Sequence, residues 1–135
     1  MDASGRPTKV AEANTTGATG VYLTSEGVKG EAAWATRGLW CTLTGHDTEK
    51  HEVTIGILDQ TKNPGFPTYW HTRGYGLFAA NPLGRSIFDP KQPSFNYTIE
   101  KGKTATFRYR IILFSHAAGP DELNREADAY DRETK

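Results

Sequence analysis

The sequence predicts an all-β domain: an antiparallel β-sandwich, or half of a larger supersandwich, closed by a short C-terminal helix. Three observations predict it. Apolar and polar residues alternate with a period of two in several short runs. Clusters of Gly, Pro, Asn and Asp separate those runs. Only the tail, from Gly119 onward, changes to helical spacing.

The elements follow in order. Leu39, Cys41 and Leu43 share one parity, with Trp40 and Thr42 on the other. After the polar stretch Gly45 to Lys50, Val53, Ile55 and Ile57 line one face of a half-buried strand. The two runs predict a hairpin with a longer loop. Asn63-Pro64-Gly65 is a turn signal, and Tyr75 to Ala79 is a short apolar segment stopped by Asn81-Pro82-Leu83-Gly84. Asn81 before Pro82 suits an Asx-type turn. Phe95, Tyr97 and Ile99 then alternate with polar residues. Lys101-Gly102-Lys103 makes a tight connection, with Gly supplying an unusual backbone angle. Ala105, Phe107, Tyr109, Ile111 and Leu113 continue the alternation, with Arg108 and Arg110 on the polar face. This pair predicts a second hairpin. Pro120, Asp121 and Glu122 suit the first turn of a helix, and Leu123, Ala127 and Tyr130 form its apolar face. The expected total is about six to eight strands and one helix.

A chain of 135 residues is one domain's worth of material. Residues 1–20, rich in Ala, Thr, Gly and Ser, read as a flexible arm, and residues 21–135 as a single sandwich-like domain. Lys+Arg and Asp+Glu are equal at 16 each, and no two basic residues are adjacent. Phosphate neutralisation needs a basic surplus, so nucleic acid is not an expected partner. The single Cys41 allows neither an intrachain disulfide nor a Cys-based zinc site. A spanning helix needs about 20 apolar residues. The run Ile111 to Phe114 is far shorter, so no membrane placement is expected. The N-terminus has no apolar signal-peptide core. The reading is of a soluble protein whose compartment stays open.

Cofactor motifs are missing: there is no phosphate-cradling Gly-rich loop with Lys, no GxSxG and no HExxH. His46 and His51 flank a turn and His116 follows the last strand. No metal site is expected from them. The stretch from Phe66 to Gly84 concentrates chemistry, with five of the chain's fifteen aromatic residues, a His and an Arg. In an extended segment, positions i and i+2 share a face. Tyr69, His71 and Arg73 therefore project together and Trp70 projects oppositely. Such a face suits a sugar or a carboxylate: His moves a proton and Arg pairs bidentately with an anion. Asp59, at the end of the strand, suits a general base, or alternatively caps the turn through Thr61 and Lys62. The competing reading packs the aromatics as core and pairs Arg73 with an acid such as Asp59.

The string ILDQTKNPGFPTYWHTRGYGLFAANPLG, with GEAAWATRGLWCTLTG before it and TATFRYRIILFS after it, resembles the C-terminal portion of a bacterial family called "methane oxygenase PmoA-like". The resemblance runs from about Leu23 to Tyr130. It implies a β-rich protein associated with carbohydrate-degrading enzymes, and not the membrane oxidation in the family's name, since no span is present. By analogy it implies a fold like the sugar-binding supersandwiches. Two departures stand out. Members commonly carry a His where this chain has Gln60, and they are usually much longer. The resemblance thus implies either a fragment or a sheet completed by a second copy.

Together these readings give a carbohydrate-associated protein, with a carbohydrate or sugar acid as its small-molecule partner. In an enzymatic version His71, Arg73 and Asp59 carry catalysis, Tyr69, Trp70, Tyr75 and Asn81 bind substrate, and no cofactor is needed. The alternative is a non-catalytic binding or assembly module that forms a homo-oligomer through its sheet.

Overall fold

The computed structural model describes residues 19–134. Most of the expected arm, residues 1–18, lies outside the described residues. Thr19 is already tied in, its Oγ1 accepting from the His46 N–H at 2.7 Å.

Among the described residues are six strands, two α-helices and one 3-10 helix (Gly30–Ala33): β1 (Val21–Thr24), β2 (Trp40–His46), β3 (Glu52–Asp59), β4 (Tyr69–Thr72), β5 (Phe78–Asn81), α1 (Arg85–Phe88), β6 (Tyr109–Phe114) and α2 (Pro120–Glu133). Four strands form one antiparallel sheet in the order β1-β2-β3-β6, and β4 and β5 pair as a second sheet. The expected antiparallel β architecture with a C-terminal helix is present. No helix among the described residues is long and apolar enough to cross a membrane. The first expected hairpin is β2–β3, in register from Trp40↔Leu58 to His46↔Glu52.

Helix α2 begins as its sequence predicts, with Pro120 in the first turn and Asp121 and Glu122 near the positive end of the dipole. Its buried face is Leu123, Ala127 and Tyr130, and it packs with Trp40, Leu58, Ile112 and Phe114 of the large sheet. Gly56 makes that approach close: a Cβ there would stand 3.3 Å from Leu123 Cδ1. Trp40 Nε1 donates to Asn124 Oδ1 at 2.8 Å. Arg110 pairs with Glu133 and lies 4.5 Å over the Tyr130 ring.

This helix reverses one expectation. Thr54, Gly56 and Leu58 are the buried parity of β3, and Ile55 is 37% exposed. The physical cause is that a glycine, rather than a branched residue, leaves room for the helix. The opposite face is covered only in part. There Tyr22, Ala33, Cys41 and Trp70 form a second cluster, with Leu43, Ile57, Phe78 and Ala80 against it.

The second expected hairpin is corrected. Its turn exists: Gly102 has φ 81° and the Lys103 N–H donates to Glu100 O at 2.9 Å. The flanking residues 95–107 build no strand ladder, and β6 instead pairs with β3 from Thr54↔Phe114 to Asp59↔Tyr109. Lys101 is not among the positive-φ residues. A turn with positive φ at its second central position alone splays the strands that leave it. The Tyr97 and Phe107 rings still meet, centroids 6.0 Å apart.

Cys41 is fully buried, and burial pushes its thiol up to about 12. A thiol reagent is therefore expected to leave the native protein untouched and to label it only on unfolding. Leu123→Ala should cost about 3 kcal/mol, read as a lower urea midpoint and faster Cys41 labelling.

Candidate functional site

The second sheet carries the residues singled out above. In β4 and β5, Tyr69 pairs with Asn81 and His71 with Ala79, while Trp70 pairs with Ala80 and Thr72 with Phe78. Period-two geometry divides them as expected. Trp70 and Phe78 face the second cluster; Tyr69 and His71 lie on the opposite face, where Tyr69 is itself buried and His71 half-buried. The Tyr22 hydroxyl holds the hairpin turn, 2.7 Å from Leu77 O and 3.0 Å from Arg73 O.

On the outer face an aromatic row forms. The Arg37 guanidinium lies 5.0 Å over the Tyr69 ring. Tyr69 stacks on Phe88 at 5.3 Å and 17°. Phe88 meets Trp34 edge-on at 5.6 Å, and Arg73 lies 4.7 Å over Trp34. His71 meets Phe88 edge-on at 5.4 Å. The ring quadrupoles favour both the edge contacts and the cations at the two ends.

The two arginines differ in freedom. Arg37 donates to Pro67 O at 2.9 Å and Gly65 O at 3.2 Å, so it holds the loop before β4. Arg73 is exposed, and its guanidinium has no hydrogen bond or ion pair among the described residues. The His71 ring nitrogens likewise have no partner there, and the Trp34 indole N–H is buried without one. Asn81 Oδ1 accepts from the Leu83 N–H at 3.1 Å, which is the expected Asx-type turn.

Four expectations are corrected. Tyr69 is 5% exposed, its ring covered by Arg37 and Phe88, so it supports this face and offers no surface to a ligand. Trp70 is fully buried, so it offers no platform to a ligand. Tyr75 lies in the β4–β5 turn, 58% exposed and outside the aromatic row. Asp59 does not join His71 and Arg73. It is buried at the end of β3, and its Oδ1 accepts from the Gln60 N–H at 2.9 Å and Asn63 Nδ2 at 2.7 Å. Its Oδ2 accepts from the Thr68 N–H at 2.8 Å. Asp59 therefore closes the loop between β3 and β4, close to the turn-capping alternative. Arg73 pairs with Trp34 rather than with this acid.

Sequence reasoning missed Trp34, Arg37 and Phe88 as members of the face. They come from separate connections, and no local spacing marks them. Among the described residues no three His, Cys, Asp or Glu side chains stand together as metal ligands would.

Burial raises the Asp59 pKa against the lowering effect of its three donors. The folded state thus holds that proton more tightly than the unfolded chain. Ionising Asp59 costs stability as pH rises from the ordinary carboxylate range through the raised value, so acid unfolding does not run through this group. Its removal at neutral pH strands the three donors. Asp59→Ala should lose at least about 2 kcal/mol of stability, measured by urea titration. An unchanged midpoint would contradict the structural role.

No curated protein and no solved structure matches the chain. One family model does, and it aligns with residues 6–128, nearly the whole sequence. By that match the chain belongs to DUF6807, a family of unknown function.

Proposed function

We propose that the outer face of the β4–β5 hairpin binds a sugar or sugar acid without transforming it. The observation that carries this reading is a pair of polar groups, His71 and Arg73, without polar partners among the described residues and set on one aromatic base. Trp34 is half-buried and offers apolar surface beside them. Arg73 suits a carboxylate or a pair of hydroxyls, and His71 suits a hydroxyl. The resemblance of PTYWHTR to a carbohydrate-associated family supports the same ligand class.

Binding is favoured over catalysis by the position of Asp59. The carboxylate expected to act with His71 and Arg73 is committed to three donors inside a loop. The second part of the proposal is architectural. The two sheets make an incomplete β-sandwich, whose smaller layer covers the β1–β2 half of the larger one. The shared cluster of Tyr22, Cys41, Trp70 and Phe78 supports it.

A calorimetric screen of neutral sugars and uronic acids tests the site. Wild type should bind at least one of them. Arg73→Ala should weaken that binding about tenfold or more, as charge-assisted hydrogen bonds contribute about 1.5–3 kcal/mol. His71→Ala should weaken it less. No binding by wild type, or equal binding by all three proteins, removes the site. Turnover by wild type that is lost in His71→Ala would restore the enzymatic reading.

A further inference from the structure

Strand β6 is the outermost strand of the large sheet, and among the described residues nothing pairs with its free edge or covers one of its faces. It pairs with β3 on one side only. On the face away from α2, Ile55 stands beside Leu113 and Ile57 beside Ile111. The cover from the β4–β5 hairpin ends along this row. Cys41 is fully buried, but Ile111 is 67% and Leu113 75% exposed. Proteins protect free sheet edges with Lys, Pro, bulges or inward charges. The segment Ile111–Phe114 carries none of these, and Arg110 is turned toward α2 by Glu133.

We propose that this edge pairs with β6 of a second copy of the chain, antiparallel about a two-fold axis through Ile112. The occupant must bring a strand, because the edge presents a row of backbone donors and acceptors. A copy of β6 fits it in one register on two counts. With Ile112 opposite Ile112 of the copy, Ile111 meets Leu113 of the copy and Leu113 meets Ile111. Both pairs lie on the open face, so the two apolar patches fuse into one stripe from Ile57 of one chain to Ile55 of the other.

Charge complements the same register. Continued past the ends of β6 (Tyr109–Phe114), it brings Arg108 toward His116 of the copy. Arg108 is exposed and makes no ion pair among the described residues. His116 holds Glu122 at 2.8 Å, so each Arg108 arrives beside a carboxylate of the other chain. A two-fold interface makes this contact twice. The formal net charge of zero leaves no long-range repulsion between copies. The sugar face proposed above lies on the outside of the β4–β5 hairpin and plays no part in this pairing.

Sedimentation equilibrium over about 1–100 μM, concentrations that span ordinary protein affinities, tests the pairing. Wild type should move from the chain's 14.9 kDa toward twice that mass. Leu113→Lys should hold the protein at the monomer mass, with Cys41 still protected as proof of folding. If Leu113→Lys fails to fold, Ile111→Thr takes its place with the same expectation. Arg108→Glu should weaken the dimer severalfold at low salt, and less at high salt. A wild type that stays monomeric throughout overturns the proposal, whether the face remains bare or takes a different strand. So does a dimer that is indifferent to all of these variants.

Discussion

The carboxylate of Asp59 sits where the chain leaves one sheet for the other, and three donors converge on it. One of them, the Asn63 side chain, also reaches Arg108, exchanging hydrogen bonds of 2.6 and 2.8 Å with its backbone. Asn63 thus acts as a one-residue strand beside the entry to β6. Through Asp59 and Asn63, the end of β3, the loop before β4 and the approach to β6 are fastened at one point. The direction in which β4 departs, and so the face on which Tyr69 and His71 stand, depends on that knot. Burying a carboxylate is unfavourable unless its oxygens are matched, and here three donors match them.

The two faces of the large sheet are treated unequally. One is covered along most of its length by α2, which is anchored near both ends: His116 to Glu122 at the start, and Arg110 to Glu133 at the finish. Gln60 Nε2 adds a contact to Thr134 Oγ1 at 3.0 Å. The other face has a short hairpin over β1 and β2 and open apolar side chains over β6. A sheet with one bare half is stable only if the covered half supplies enough burial, and here two separate clusters do so.

Much of this was legible in residue order, and the exceptions have physical causes. The inward Trp70 and outward His71 follow from period-two geometry alone. Asn81 before Pro82 predicted its own turn, and Pro120 with two acids predicted the start of α2. What was not legible depends on contacts distant in sequence. Trp34 and Phe88 meet across 54 positions, and nothing local to either marks the other. Val53, Ile55 and Ile57 have the pattern of a core face, yet Gly56 decides which side the helix takes. The hairpin expected after Ser94 kept its turn and lost its ladder, because the turn's handedness does not match strand twist. Asp59 was visible as an acid at a strand end, but its role appears only when Thr68 folds back onto it.

The Tyr22 hydroxyl gives the molecule a hierarchy of melting. That single phenol, on a four-residue edge strand, holds the turn of the β4–β5 hairpin through the carbonyls of Arg73 and Leu77. Edge strands fray before central ones. When β1 loosens, the hairpin's turn loses this hold while the backbone bonds from β4 to residues 35–38 remain, so the tip of the hairpin is coupled to an edge strand. Amide protons around Leu77 would then exchange by a sub-global opening shared with β1, at a lower free energy than the strands beneath α2. Heat would loosen that turn some degrees before it dissolves the fold.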